Sequence, residues 1–250
     1  MSVRRLLLDA GNTRVKWAVV EADRWLAHGS ARYDDLAELG LLLEQGMICH
    51  IASVARAGDE ASLGTLLSRH AMEPRRLTST ARFGEMVNSY LDPQQLGVDR
   101  WMALIAARER TRLPVLVVSV GTAMTVDALS AEGRFLGGVI VPGMMLMRRA
   151  LQQGTAQLAV GNEDETGEGV MRIFPTATVD AVQSGILAAL CGAIQSQYAH
   201  LERHARMSPR CFLTGGDAGL VLPHLDFPSE LMPGLVLEGI ERVTRESEPI

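Results

Sequence analysis

Apolar residues fall in short blocks along this chain, and the spacing inside each block separates strands from helices. Residues 6–10, LLLDA, form an apolar run closed by a carboxylate, which predicts a buried strand. Residues 15–21 predict its hairpin partner across a Gly-Asn-Thr turn, with a third strand expected near 25–33. Asp34 and Asp35 then open a helical pattern through Leu36, Leu39, Leu41, Leu42 and Leu43, which Gly46 stops. A strand at 47–54, a helix at 60–70 and a short strand at 76–79 follow. Residues 97–110 predict a helix with Trp101, Leu104, Ile105 and Ala107 on or near one face.

After Pro114 the pattern restarts. A strand begins at Val115, turns at Gly121-Thr122, and is followed by strands near 125–129 and 135–141. Pro142 is expected at the first position of a helix, where its missing N–H does no harm. Residues 178–204 predict a long helix, with Ala181, Val182, Ile186, Leu187, Leu190, Ile194, Tyr198 and Leu201 at three- and four-residue steps. A last strand at 210–214 ends on Gly215-Gly216, a closing helix spans about 235–245, and the acidic stretch 161–169, GNEDETGEG, predicts a loop.

The order strand, glycine turn, strand thus occurs twice, offset by 110 residues (121 − 11). Aligning Gly11 with Gly121 sets Asp9 opposite Ser119, so the second copy carries a hydroxyl where the first carries a carboxylate. The fold class expected is α/β, in two domains at 1–113 and 114–250, each a mixed sheet flanked by helices.

Composition narrows the function. The chain has 250 residues, 47% hydrophobic and 21% charged, with a net charge of −5 that argues against a nucleic-acid partner, which would need a basic face. Cys49, Cys191 and Cys211 lack metal-ligand spacing and fit a reduced, cytoplasmic protein. The N-terminal apolar run is short for a signal peptide. The uncharged stretches 113–126 and 135–147 fall short of the ~20 residues of a membrane span, so no membrane partner is expected. Lys16, inside the first turn motif, is the only lysine; arginine-rich codon usage accounts for that, yet a compact ammonium there could also meet a phosphate.

Neither a P-loop nor a Rossmann glycine pattern is present. Two turns rich in Gly, Asn and Thr can instead offer backbone N–H and hydroxyl groups to phosphate oxygens, and Asp9 at a strand end can hold magnesium through water. Taken alone, DAGNT reads equally as a tight hairpin turn. His200 and His204 have chelating spacing but no third ligand nearby, and Met144, Met145 and Met147 read as packing. The acidic run 163–168 lacks EF-hand spacing and reads as solvated rather than as a calcium site.

The motifs together resemble the superfamily of acetate kinases, sugar kinases and actin, and within it the type III pantothenate kinases. The resemblance runs in order through DAGNTRVK (9–16), NSYLDPQQLGVDRW (88–101), GTAMTVD (121–127), GGVIVPG (137–143), GTAQL, TATVDAVQSG and TGGDA. It implies two ribonuclease H-like domains of the actin-like ATPase type, a cytoplasmic homodimer, and ATP-dependent phosphorylation of pantothenate to 4′-phosphopantothenate, the first step of coenzyme A biosynthesis. The interface candidates are the helices at 142–151 and 178–204.

Residue by residue, the resemblance implies ATP binding by Asp9, Ala10, Gly11, Asn12, Thr13, Arg14, Val15 and Lys16, then by Gly121 and Thr122, with Gly215 and Gly216 bordering adenosine. Asp99 would be the general base, although an acid at a helix N-terminus is also favoured by the macrodipole. Tyr90, Gly97, Val98 and Arg100 would bind pantothenate, with Thr178 reaching it from a neighbouring subunit. The cofactors implied are Mg2+, placed at Asp9, and a monovalent cation, K+ or NH4+. Most relatives hold that cation with an aspartate where this chain has Ser119, so weaker potassium dependence or lower ATP affinity is expected. The same substitution leaves room for a weakly or non-catalytic accessory factor of the Bvg type, acting on transcription through a protein partner. A phosphatase or sugar kinase of the same superfamily is a further alternative.

Overall fold

A computed structural model describes residues 3–154 and 169–246. In chain order, strands β1 (Arg4–Ala10), β2 (Arg14–Glu21) and β3 (Arg24–Arg32) lead to α1 (Ala37–Leu41), β4 (Ile48–Ser53), α2 (Ala57–Arg69) and the two-residue β5 (Arg75–Arg76). Then come β6 (Arg82–Phe83), β7 (Met86–Asn88) and α3 (Val98–Arg110). The second run is β8 (Val115–Val120), β9 (Ala123–Leu129), β10 (Arg134–Pro142), α4 (Met144–Gly154), α5 (Thr178–Ala205), β11 (Arg210–Thr214), α6 (Ala218–Val221) and β12 (Glu230–Leu231), closed by α7 (Leu235–Glu246).

The contacts group residues 3–110, 132–135 and 234–246 into one compact unit, and 111–131, 136–154 and 169–233 into another. In the first unit the sheet order is β3-β2-β1-β4-β5, with β1 antiparallel to β2 and parallel to β4. Side chains alternate across β1. Leu6, Leu8 and Ala10 join a core with Trp17, Leu39, Leu63 and Leu67, which draws on α1 and α2. Arg5, Leu7 and Asp9 occupy the other face. There Arg5 is buried and donates to Thr244 and Glu241 of α7. Gly239 of α7 crosses α3 so closely that a Cβ would lie 1.9 Å from the Met102 carbonyl oxygen.

In the second unit the strands run β10-β9-β8-β11-β12, with β8 antiparallel to β9 and parallel to β11. This is the same order as in the first sheet, so the repeat read from the turns extends to strand topology. Leu116, Val118 and Val120 of β8 pack with Val182, Ile186, Leu187, Leu190 and Ile194 of α5. Arg134 and Phe135, the first residues of β10, group with the first unit and pair parallel with Val87 and Asn88 of β7.

Three expectations need correction. Pro142 ends β10 rather than opening a helix, and α4 begins two residues later, because the ring's fixed φ is also tolerated at a strand end. The helix expected from the leucine-rich run is only Ala37–Leu41, with Gly40 inside it weakening the propensity. Helix α5 is long and apolar enough to cross a membrane by length and composition, its uncharged run at 181–199 exceeding the two noted above. Its buried residues, Leu190 and Ile194 among them, form the second unit's core, which explains that apolarity. The acidic stretch 161–168, with the run 163–168 inside it, lies outside the described residues, as do Thr155 to Leu158 of GTAQL.

Candidate active site

The first unit gathers two carboxylates from distant stretches of chain. Asp9 is the next-to-last residue of β1, cross-strand from Lys16. It is 8% exposed, and its pKa is raised from the ordinary 3.8 of an aspartate to about 6. Burial is the main cause; Lys16 pulls the value down and the charge of Asp99 pushes it up. Asp99 stands in the first turn of α3, and burial raises its pKa too. The N–H groups of Arg100 and of Asp99 itself, with the Arg100 charge, partly offset that rise. Gly97 makes room for this arrangement, since a Cβ there would sit 2.6 Å from Asp99 Oδ1.

Arg100, the next residue on α3, is 6% exposed and donates from Nη1 to Tyr90 Oη at 3.0 Å. Its guanidinium lies 5.8 Å from the Tyr90 ring centroid and 5.9 Å from that of Phe135. The two rings stack at 5.7 Å. Such a cation among aromatic faces retains its charge while its orientation is fixed. The loop carrying Tyr90 is fastened by Asn88. Its Nδ2 donates to the carbonyls of Thr80 and Pro93, both at 3.2 Å, and its Oδ1 accepts the Tyr90 N–H at 3.1 Å. Trp101 Nε1 donates to Thr80 Oγ1 at 3.3 Å, tying α3 to the same loop.

The turn after β1 is closed by the Gly11 N–H donating to the Arg14 carbonyl at 3.1 Å, and Tyr33 Oη donates to the Gly11 carbonyl at 2.6 Å. Asn12, Thr13 and Arg14 are exposed. Ala10 and Val15 are fully buried and anchor the turn from either side.

The second unit repeats the closure, with the Gly121 N–H donating to the Ala123 carbonyl at 3.1 Å. Two later glycines press on this turn. The Gly143 N–H donates to the Thr122 carbonyl at 3.0 Å, and a Cβ on Gly143 would lie 1.9 Å from Gly121 O. Gly215 has φ +97° and would place a Cβ 2.1 Å from Val120 O. The Asp217 N–H, just past Gly216, reaches the same Val120 carbonyl at 3.1 Å. Ser119 is half-buried near the end of β8, in register with Thr125 of β9 and Thr214 of β11. Three hydroxyl-bearing residues thus lie side by side across three strands. Thr178 is exposed at the first turn of α5.

Among the residues named from the sequence, the first unit brings together Asp9, Lys16, Asp99, Arg100 and Tyr90, with Gly97 and Val98 leading into α3. The second unit sets Ser119, Gly121, Thr122, Gly215 and Gly216 around one turn. Sequence reasoning did not single out Tyr33, Phe135 or the fastening role of Asn88. Phe135 carries no local signal, while Asn88 opens a quoted motif and could have been found as a side chain able to bridge three backbone groups.

A buried carboxylate that its own protein leaves with a raised pKa suits a site completed by a cation. The hard oxygen of Asp9 fits Mg2+ better than a soft metal.

The family model described as Type III pantothenate kinase matches residues 5–200. A relative named type III pantothenate kinase in Thiobacillus denitrificans is 54% identical over 245 residues, covering 98% of each chain. One of the same name in Chromobacterium violaceum is 41% identical over 244 residues, covering 96% of this chain and 98% of its own. Among solved structures, a protein described as a Baf family transcriptional activator from Campylobacter jejuni superposes with a TM-score of 0.61 at 20% identity, covering 97% of this chain and 98% of that one. A protein described as a 2-dehydro-3-deoxygalactonokinase from Sinorhizobium meliloti gives 0.55 at 14%, covering 98% and 100%. These structural likenesses carry the fold, which is that of the actin-like and sugar-kinase ATPases.

Proposed function

The chain belongs to the type III pantothenate kinase family, and on that premise we propose that it transfers the γ-phosphoryl group of ATP to the primary hydroxyl of pantothenate, the first step of coenzyme A biosynthesis. The observation that carries this reading is the pair Asp9 and Asp99, one buried and one half-buried acid close enough in the first unit for the charge of Asp99 to raise the pKa of Asp9, beside the Arg100–Tyr90–Phe135 cluster.

The division of labour follows from the chemistry. The O–P bond to the pantothenate hydroxyl forms as the bond from Pγ to the β–γ bridging oxygen breaks, and ADP leaves. The hydroxyl proton passes to Asp99, whose raised pKa makes it a better acceptor than an ordinary carboxylate. Because the alcohol is far less acidic than the carboxyl group, the transfer is late, and positioning supplies most of the acceleration. Arg100 answers the substrate carboxylate with the planar fork that suits it. Exposed backbone at Asn12 and Thr13, the Lys16 ammonium, and the Gly121-Thr122 turn bind the phosphate chain, with Gly215 and Gly216 bordering adenosine. Asp9 would hold Mg2+, and the metal would supply neutralisation of phosphate charge. Ser119, with Thr125 and Thr214 in register, offers neutral oxygens to a monovalent cation without adding charge.

A homodimer is part of the same reading. Ile173 and Phe174 are 87% and 88% exposed just before Thr178, and Ile140, Met145 and Leu146 add exposed apolar surface in the same unit. A second copy covering them would bury this surface.

ADP release by the purified protein with ATP and Mg2+, with and without pantothenate, in potassium and in sodium buffer, tests the reading. Pantothenate-dependent release is expected in both buffers. Pantothenate-independent turnover, or turnover only with another alcohol, would move the protein to a different kinase activity; no release at all would favour the accessory-factor role.

A further inference from the structure

Tyr33 lies outside every motif of the sequence. It follows β3, is 9% exposed and packs in the first unit's core. Its hydroxyl donates to the Gly11 carbonyl at 2.6 Å, short for an O–H donor to a neutral acceptor. The Gly11 N–H is engaged as well, by the Arg14 carbonyl. Both backbone groups of the turn glycine are therefore held.

A peptide unit is planar and trans, so a carbonyl oxygen and the N–H of the following residue point in opposite directions. Drawing the Gly11 oxygen toward Tyr33 turns the Asn12 N–H the other way, and Asn12 is exposed. Burial, with the charges of Asp59, Asp9 and Glu60, pushes the Tyr33 phenol far above its ordinary range, so the group stays a neutral donor.

We infer that Tyr33 is a positioning residue of the phosphate site: its hydroxyl locks the Gly11–Asn12 peptide so that the Asn12 N–H meets a phosphate oxygen of the nucleotide. This rests on the ATP-binding role proposed for the turn. Without the bond, the exposed peptide is free to rotate and present its carbonyl oxygen, an acceptor, to an anion. The loss falls on the phosphate chain and leaves pantothenate and the nucleoside untouched.

Tyr33→Phe retains the ring and deletes the donor. Steady-state kinetics in ATP and in pantothenate, with ADP and adenosine as inhibitors competing with ATP, separate the effects. The KM for ATP and the Ki for ADP should rise about tenfold, the equivalent of about 1.4 kcal/mol. The KM for pantothenate and the Ki for adenosine should stay within about twofold, a change of less than 0.5 kcal/mol. Asn12→Pro, which deletes the N–H itself, reports on the turn. If Asn12→Pro weakens ATP and Tyr33→Phe does not, the inference falls and the phosphate turn stands. If neither weakens ATP, both fall together. An equal rise for ADP and adenosine in Tyr33→Phe, alongside a lower melting temperature, makes Tyr33 a fold residue and overturns the inference.

Discussion

Replacing Asp9 by asparagine should make the ligand-free protein more stable at neutral pH while abolishing its chemistry. The magnitude follows from the raised pKa. A shift from 3.8 to about 6 corresponds to about 3 kcal/mol, at about 1.36 kcal/mol per unit. The sign is fixed by which state holds the proton. Above about pH 6 the carboxylate is ionised in both states, and the folded protein bears the whole penalty of burying the charge. As pH falls through 6 the folded carboxyl takes a proton while the unfolded one stays ionised down to about 3.8, and the penalty is relieved. Asp9→Asn should therefore gain about 3 kcal/mol at pH 8, progressively less through pH 6, and nothing near pH 4.

Urea unfolding of wild type and Asp9→Asn across this range measures the difference directly. The comparison also cancels an opposing contribution from His50. That residue is buried on β4 with no hydrogen-bond partner for Nδ1 among the described residues, and its pKa is lowered to about 4 by burial, then by Arg75 and Arg5. Mg2+ at saturating concentration should stabilise wild type at pH 8 and leave Asp9→Asn unmoved. A variant no more stable than wild type at pH 8, or a gain that ignores pH, would refute the claim that Asp9 carries an under-compensated charge.

The acid limb of kcat/KM for ATP should have its midpoint near pH 6, set by Asp9 in the free enzyme, and should move lower as Mg2+ is raised; a midpoint near 4 would contradict the burial argument. His50→Leu should remove a loss of stability between pH 6.5 and 4 on the order of 3 kcal/mol relative to wild type, uncovering the opposite trend set by Asp9, because a group with a depressed pKa stabilises above its unfolded value and fails as pH falls; pH-dependent denaturation of both proteins checks it. Gly215→Ala forces a Cβ onto Val120 O at a φ of +97°, so a loss of about 2–3 kcal/mol in unfolding free energy is expected, together with weaker nucleotide binding. Ser119→Asp should make ADP release depend on potassium more steeply than in wild type, read from rates in potassium and sodium buffers.

What the sequence discloses here is local. The duplication was visible because strand, turn and strand lie within about fifteen residues of one another, and hydrophobic runs and glycines mark each piece. The helix carrying Asp99 and Arg100 was legible for the same reason. Packing partners were not. Helix α7 reads from the sequence only as a closing helix, and the close crossing of Gly239 on Met102 and the buried Arg5–Glu241 pair show that it groups with the first unit. Gly143 and Gly215 look like ordinary turn glycines until their distances to Gly121 O and Val120 O are known. Tyr33 is separated from Gly11 by two whole strands, β2 and β3, and no spacing rule links a tyrosine to a carbonyl across that interval.

The two turns show why backbone and chemistry need separate arguments. Gly11 and Gly121 each donate an N–H to a carbonyl across their turn at 3.1 Å, to the third residue on in the first unit and the second residue on in the second. The strands around them adopt the same order. That much follows from hairpin geometry and places no demand on the residue two positions before the glycine. At that position the first unit has a carboxylate whose charge burial opposes and Asp99 opposes further, while the second has a serine in a row with Thr125 and Thr214. A neutral oxygen row asks for no counter-ion to fold, whereas Asp9 is held ionised at neutral pH against its surroundings. The charge that a cation would answer therefore sits at Asp9, and the serine at the matching position of the second unit brings no such charge.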